Sequence, residues 1–528
     1  MLLMREREYC FGVKRREALA RLPAALARLG APDAPSRRRV LTDTYLDTDD
    51  LLLARAGAAC RLRVSGKSAE ATLKSLTPAK DGLAVRNELS EPLGESAAVW
   101  LRGTPGKGAI AARLRPLLRG KRLRVLFRLQ QNRAVHRVRT ADGSLIQVSA
   151  DVVRWVGGNA GGEPAPFLTR HDIEVELMEG TEECLRRFAG KLRKKMGLRA
   201  AKESKYQYGL RLAGLTRPAP PERRQPALQA QSLEAILRAV MAGQTERLLW
   251  HKAGAILGLD SEPIHDLRVA IRRLRAALRV FAGALPPELE RRLGSGLKRL
   301  AASLGVVRDL DVHVERVARD AGLLGLADNP AVIAYLRRLN RRRDEAHRRL
   351  ARELNSKRTA AVAENLEEAA RRLLPSGRLR ESTAGTGARA AALIEPFFRK
   401  FRRDGGRVHP NSRDESLHRL RLRCKRLRYA CEFLKPALGD NAGKYAARLA
   451  RLQGILGRLH DAAMAAETIR RFLATPAARR RPGAGIALLR LAAQAERQAR
   501  AERREFFAAW KRFDRKRVHS LLLGHAQR

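Results

Sequence analysis

A chain of 528 residues with 107 Lys and Arg against 55 Asp and Glu carries a formal net charge of +52, an excess that repels itself in a compact fold unless a polyanion neutralises it. Nucleic acid is the default polyanion for such a chain. However, aromatic residues make up only 5%, which disfavours base-stacking platforms, and neither zinc-finger spacing nor a basic leucine zipper is present.

In chain order, Met1-Leu-Leu-Met-Arg-Glu-Arg-Glu turns charged before a signal-peptide core forms. No apolar run approaches the ~20 residues of a transmembrane helix. Five cysteines at 10, 60, 184, 424 and 431 form no CxxC pair. A soluble, reduced, cytoplasmic protein with no membrane partner is expected.

Residues 4–212 carry period-two patterns, tight turns and two or three helical stretches, so an antiparallel β domain with some helix is expected. Charged pairs recur two apart: Glu6/Glu8, Arg61/Arg63, Arg86/Glu88 and Glu174/Glu176, with Thr72/Lys74 and Ser149/Asp151 alike. In a strand, residues i and i+2 share one face. A sheet with one wet face gives the same alternation, but it mixes charge within each strand. Here the first and last strands are purely acidic and a middle strand is purely basic. That segregation suits a closed barrel whose lumen takes a polyphosphate. Basic residues would hold phosphate oxygens, and clustered carboxylates would hold Mg²⁺ or Mn²⁺, hard cations that prefer oxygen. Such a metal bridges phosphate oxygens and positions an attacking water.

Glu6-x-Glu8, Tyr45-Leu-Asp47-Thr48 with Leu51 and Leu53, and Arg61-x-Arg63 resemble, in order, the CYTH domain of triphosphate tunnel metalloenzymes. Thr72-Leu-Lys74, Arg86-x-Glu88, Arg133, Asp151, Glu174-x-Glu176-Leu177 and Ser204-Lys205-Tyr206 continue the resemblance over residues 4–212. It implies an eight-stranded tunnel that binds or hydrolyses triphosphate compounds with a divalent cation. By position it implies metal carboxylates at Glu6, Glu8, Asp151, Glu174 and Glu176. Phosphate ligands are implied at Arg61, Arg63, Lys74, Arg86, Arg133 and Lys205, and a catalytic set at Glu6, Glu8, Lys74 and Lys205. Glu88 would be a further luminal carboxylate. One position departs: the opening motif of the family is Glu-x-Glu-x-Lys, and the third place here is Cys10. A thiol replaces neither the charge nor the donor of an ammonium. Arg5 and Arg7 fall on the opposite strand face, and Lys14 lies four residues on.

Pro-rich residues at 213–227 read as a linker. From 228 to 520 the sequence is Ala/Leu/Arg/Glu-rich with helical periodicity, in two halves dividing near 380. Loop signals lie at Gly283–Pro287, Asp328–Pro330, Pro375–Gly377, Gly405–Asn411 and Pro476–Gly485. The halves repeat each other. His265, Arg268, Arg272, Arg273, Leu274 and Arg275 recur as His418, Arg421, Lys425, Arg426, Leu427 and Arg428, 153 positions on. Leu300-Ala-Ala-Ser-Leu304-Gly305-Val-Val-Arg308-Asp309 recurs as Leu452-Gln-Gly-Ile-Leu456-Gly457-Arg-Leu-His460-Asp461, read as a turn with each Asp capping a short helix. At 3.6 residues per turn, His265, Arg268, Arg272 and Arg275 span an arc of about 80°. Leu267, Ile271, Leu274 and Leu278, like Leu420, Cys424, Leu427 and Cys431, face a core. A solvated face would mix in carboxylates for i,i+4 pairs. Their scarcity on both stripes points to an extended anionic ligand.

These helices resemble the CHAD domain, which often follows CYTH. The resemblance implies inorganic polyphosphate held between two four-helix-like halves by His265, Arg268, Arg272, Arg273, Arg275, His418, Arg421, Lys425, Arg426 and Arg428. Cations at ~5 Å steps match a linear phosphate array, and His near ~6.5 would add pH-dependent charge. The joint expectation is an α+β multidomain protein, a β tunnel barrel followed by a duplicated all-α bundle. It would act as a metal-dependent triphosphatase on tripolyphosphate or a related triphosphate, associated with polyphosphate granules in the cytoplasm. Two alternatives stand beside it: a non-catalytic polyphosphate binder with a decayed tunnel, and a non-specific nucleic-acid binder at low salt.

Overall fold

The computed structural model describes residues 4–94, 97–156, 168–221, 232–373, 385–475 and 484–513. The expected linker around Pro226, the loops at Pro375–Gly377 and most of Pro476–Gly485, and the half boundary near 380 lie outside the described residues. The chain forms two compact units, Met1–Pro220 with His251–Pro263, and Pro221–Trp250 with Ile264–Arg528.

In the first unit, eight antiparallel strands are β1 (Met4–Val13), β2 (Ala31–Asp47), β3 (Ala58–Ser65), β4 (Ser68–Ser75), β5 (Leu83–Pro92), β6 (Arg124–Arg139), β7 (Leu145–Val156) and β8 (Thr169–Glu179). Their order is β5-β4-β3-β2-β6-β7-β8-β1, and β1 also pairs with β5, closing the barrel and removing open edges. A two-residue β9 (Arg199–Ala200) adds to β1. Closure sets the two acidic strands side by side, with Glu8 opposite Glu176 and Cys10 opposite Glu174. The same register places Arg61 opposite Thr72, Lys74 opposite Glu88 and Arg133 opposite Asp151.

Among the described residues, seven helices decorate this barrel: α1 (Glu17–Ala20), α2 (Leu22–Leu26), α3 (Leu52–Arg55), α4 (Ala97–Leu101), α5 (Ala109–Leu118), α6 (Glu182–Met196) and α7 (Lys205–Leu212). α6 forms where its sequence favours both ends. Thr181 accepts from the Cys184 N–H, two Glu open the first turn, three basic residues close the last, and Gly197 takes φ 63°. It buries Leu185, Phe188 and Leu192 against outward residues of the barrel, Tyr9, Phe11, Ile146, Val148, Ile173 and Val175, worth roughly 1.5–3 kcal/mol for each large side chain. Arg7, on the outward parity of β1, pairs with Glu182 of α6 at 3.7 Å.

α7 is started by a capping box between Ser204 and Gln207. It packs Tyr206 against Tyr45 and Phe127, with ring centroids 5.4 and 6.1 Å away. A Cβ at Gly209 would lie 2.2 Å from a Phe127 ring carbon, so only glycine lets α7 approach β6 this closely.

The second unit is helical, taking in much of α8 (Leu233–Leu257) and α9 (Glu262–Val280), then α10 (Pro287–Leu323), α11 (Pro330–Leu354) and α12 (Lys357–Arg371). The later half has α13 (Thr386–Gly406), α14 (Asp414–Leu438), α15 (Asp440–Leu473) and α16 (Ala484–Arg512). Leu267, Ile271 and Leu274 are buried as expected, and so are Leu420, Cys424, Leu427 and Cys431. Leu278 is only half-buried, and Ala277 and Val280 complete its stripe. The repeated Leu-Gly signature is not a turn. Arg308 and Asp309 sit inside α10, and His460 and Asp461 inside α15. Neither Asp caps a helix, because the buried Leu300, Leu304 and Val307, and Leu452, Leu456 and Leu459, carry the apolar stripe straight through each glycine.

Candidate functional site

One cluster in the β lumen is mainly acidic. Lys74 Nζ pairs with Glu6, lies 3.2 Å from Glu8 and 3.8 Å from Glu88, and Arg86 donates to Glu8 at 2.5 Å. Gln147 donates to Glu176 at 3.3 Å. Burial, with Glu6 and Glu8 beside it, pushes the Glu176 carboxyl up to about 8, so it keeps its proton at neutral pH. Burial also raises Glu8, against the pull of Lys74. Burial would lower Lys74, but Glu8 and Glu6 outweigh it and hold the ammonium charged. These oxygens are the hard donors that a divalent cation takes. Among the described residues, no three His, Cys, Asp or Glu side chains form a finished metal cage; Lys74 stands between Glu6 and Glu8.

A second cluster sets two cations against two carboxylates. Arg133 donates to Asp151 at 2.8 and 2.6 Å and to Glu174 at 2.5 Å. Lys205, delivered by the first turn of α7, donates to Asp151 at 2.5 Å and Glu174 at 2.8 Å. Burial would raise Glu174, yet Lys205 and Arg133 hold it well below the usual carboxylate range. Asp151, grouped by resemblance with the metal ligands, is fully buried with both oxygens engaged by Arg133 and Lys205.

Sequence reasoning missed Asp43, Gln131, Arg170 and Asp172. Arg63 grips Asp43 at 2.7 and 2.8 Å, Gln131 donates to it at 2.6 Å, and Arg61 lies 3.7 Å away. Arg61 also donates to Thr72 at 3.2 Å. Burial pushes Asp43 up, but Arg61 and Arg63 bring it below its ordinary value. The only sequence signal was parity, since Asp43 lies two residues before Tyr45. Arg170 pairs with the buried Asp172 at 2.7 Å. Cys10 faces these charges as its parity predicts. Burial, then Asp172 and Glu174, push its thiol well up, so it is neutral. Lys14 lies beyond β1 and is exposed, and is no substitute.

In the helical unit the two stripes meet. Burial first, then Arg272, Arg421, Arg268 and Arg428, pull the Lys425 ammonium down to about 6. Burial and the charges of Arg268 and Arg272 also lower Arg421, against the pull of Asp461. Five cations from α9 and α14 thus share one cluster. The Arg421 guanidinium lies 3.9 Å from where a Gly457 Cβ would stand on α15, an ordinary contact distance. Asp309, missed as a partner, lies 3.3 Å from Arg268. The His418 ring lies 4.6 Å from the His460 ring, tilted by 44°. Burial and neighbouring cations lower both rings, so they gain charge only below the expected ~6.5. Arg272 donates to Tyr429 at 2.6 Å. Arg273 pairs with Glu432 and covers the Phe433 ring at 5.0 Å, so it is already occupied. Arg428 reaches Glu432 at 2.9 Å and Gln453 at 3.0 Å. Arg275 and Arg426 act on a different group of cations around Arg279.

Compared with known proteins, the family model described as CYTH domain matches residues 4–209, and that described as CHAD domain matches residues 239–470. The uncharacterized protein Rv2226 of Mycobacterium tuberculosis is 26% identical over 448 residues, 81% of each chain. The crystal structure of the CHAD domain from the plant Ricinus communis is 23% identical, covering 56% of this chain and 98% of that one, with a TM-score of 0.44. The Hippeastrum protein HpAC1, described as an adenylyl cyclase candidate with a dominant triphosphatase activity, is 20% identical, covering 40% of this chain and 98% of its own, with a TM-score of 0.30.

Proposed function

Because the chain carries a CYTH domain followed by a CHAD domain, we propose that its tunnel hydrolyses tripolyphosphate or a related triphosphate with Mg²⁺ or Mn²⁺, while its helical domain holds inorganic polyphosphate. The observation that carries the enzymatic reading is that one lumen gathers Glu6, Glu8 and Glu88 around Lys74, beside a second cluster in which Asp151 and Glu174 hold Arg133 and Lys205. A metal-bound phosphate chain is complementary to both clusters at once. Arg61, Arg63, Arg133 and Lys205 bind phosphoryl oxygens, and Asp43, Asp151 and Glu174 hold those cations in place. Glu6, Glu8 and Glu176 are the carboxylates that would hold the metal, with Glu176 giving up its proton to do so. When bound, such a cation neutralises phosphate charge and makes a coordinated water more acidic. Lys74 keeps a proton beside those carboxylates, where it would neutralise charge gained by a phosphate.

Among the described residues, no helix is long and apolar enough to cross a membrane. In this reading the protein works in the cytoplasm at polyphosphate granules. The test is phosphate release from tripolyphosphate with Mg²⁺, with Mn²⁺ and with EDTA. Release that needs metal supports the proposal, and release unaffected by EDTA overturns it. Cys10, a neutral thiol opposite Glu174, favours a second reading, a polyphosphate-binding protein with a decayed tunnel. That reading expects no phosphate release under any metal and undiminished polyphosphate binding.

A further inference from the structure

At the C-terminal end of α9, a second set of cations gathers around a cavity. About 210 Å³ in volume, it is lined by Arg279 of α9, Pro396, Phe397 and Lys400 of α13, and Arg423 and Arg426 of α14. On α14, Arg426 lies about 100° around the helix from Lys425, so it projects away from the cluster of the two stripes. Arg423 is tied to Asp404 at 2.8 Å. Among the described residues, no carboxylate pairs with Arg279, Lys400 or Arg426. Burial, then Arg275 and Arg426, depress Arg279; burial, then Arg423 and Arg275, depress Arg426. Lys425 is not among the leading influences on either.

The lining chemistry narrows the ligand. Every polar side chain around the cavity is a donor, and Pro396 and Phe397 add only apolar wall. A neutral or zwitterionic molecule would leave cations unopposed, whereas an oxygen-rich anion matches the planar forks of Arg279 and Arg426 beside the Lys400 ammonium. At about 30 Å³ per water, the space equals about seven waters, enough for one or two phosphate units and too little for a coiled polymer.

We propose that this cavity is a second anion site, separate from the cluster around Lys425, that binds a compact phosphate anion such as orthophosphate or pyrophosphate, free or as the end of a longer chain. It stands on the charge and size of the cavity itself, so it is independent of whether the tunnel hydrolyses anything.

The test is calorimetric titration of the full chain with pyrophosphate in EDTA. Uptake by the tunnel is common to the parent, to Arg279→Gln/Arg426→Gln and to Arg272→Gln/Lys425→Gln, and cancels in the comparison. The Arg279/Arg426 pair should lose one binding event or weaken it at least tenfold, while the Arg272/Lys425 pair keeps it. Relief of like-charge repulsion should leave the Arg279/Arg426 pair melting no lower than the parent without phosphate. If that pair misfolds, Lys400→Gln at the exposed rim reads the same event with a smaller loss. Saturating pyrophosphate separates the two sources: it weakens long-chain polyphosphate binding if the cavity takes chain ends, and leaves it unchanged if the cavity takes the free anion. Superimposable pyrophosphate isotherms for the parent and the cavity variants would overturn the proposal.

Discussion

Glu176→Gln should remove one pH-dependent contribution to the stability of the tunnel. The parent carboxyl moves from 4.5 to about 8 on folding, through burial and then the charges of Glu6 and Glu8. A raised carboxyl makes the folded state hold a proton that the unfolded chain has lost. Its stabilising contribution is therefore full below pH 4.5 and disappears as pH rises through 8. At 1.36 kcal/mol per unit, the whole window is worth about 5 kcal/mol as a ceiling, of which about 3 kcal/mol has gone at pH 7. Glutamine keeps the shape and never ionises. Urea titrations in EDTA at pH 5, 7 and 9 should show the variant equal to the parent at the lowest pH and several kcal/mol more stable at the highest. Adding Mg²⁺ or Mn²⁺ at pH 7 should release up to one proton from the parent and none from the variant, read in buffers of different ionisation enthalpy. Parallel stability profiles for the two proteins from pH 5 to 9 would refute the placement of Glu176 among like charges.

Cys10→Lys should raise phosphate release about 10–100-fold, the effect of one regained charge-assisted contact of about 1.5–3 kcal/mol, without lowering the melting temperature; a variant that melts lower and turns over no faster makes Cys10 a packing residue. Lys425, brought down to about 6, should take up a proton when long-chain polyphosphate binds at pH 7. Stabilisation by the polymer should then grow as pH falls from 8 to 6, and Lys425→Gln should abolish that proton uptake in a calorimeter. Without polymer the sign is opposite: the unfolded lysine is charged throughout this window, so the stability owed to this group rises with pH. Arg272→Glu/Lys425→Glu should weaken polyphosphate binding by at least tenfold more than Arg341→Glu/Arg342→Glu on the exposed face of α11, and equal losses would reduce the stripes to generic surface charge.

What could be read in advance follows what the chain encodes locally. Parity along a strand puts Glu6, Glu8 and Cys10 on one face, and that needs no knowledge of the partner strands. Asp43 and Gln131 escaped because their meeting with Arg63 depends on the register of β3, β2 and β6, which no single strand carries. The stripes on α9 and α14 follow from 3.6-residue periodicity. Their division into one cluster around Lys425 and another around Arg279 depends on how helices cross. The Leu-Gly signatures misled as turns because glycine is a helix breaker only by about 1 kcal/mol against alanine; three buried apolar residues in each copy outweigh it.

The missing side chain at Gly209 sets the depth to which α7 enters the barrel. Any Cβ there would meet the Phe127 ring at 2.2 Å, against ordinary carbon contacts of about 3.5–4.0 Å, so the helix would have to back out by more than about 1 Å. Lys205 stands one turn earlier on the same face and would travel with it, stretching its 2.5 and 2.8 Å contacts to Asp151 and Glu174 beyond hydrogen-bonding range. Two buried acids would then compete for Arg133 alone. A single methyl group placed among aromatic rings, far along the chain from Asp151 and Glu174, would thus act as a lever on the charge balance of the tunnel.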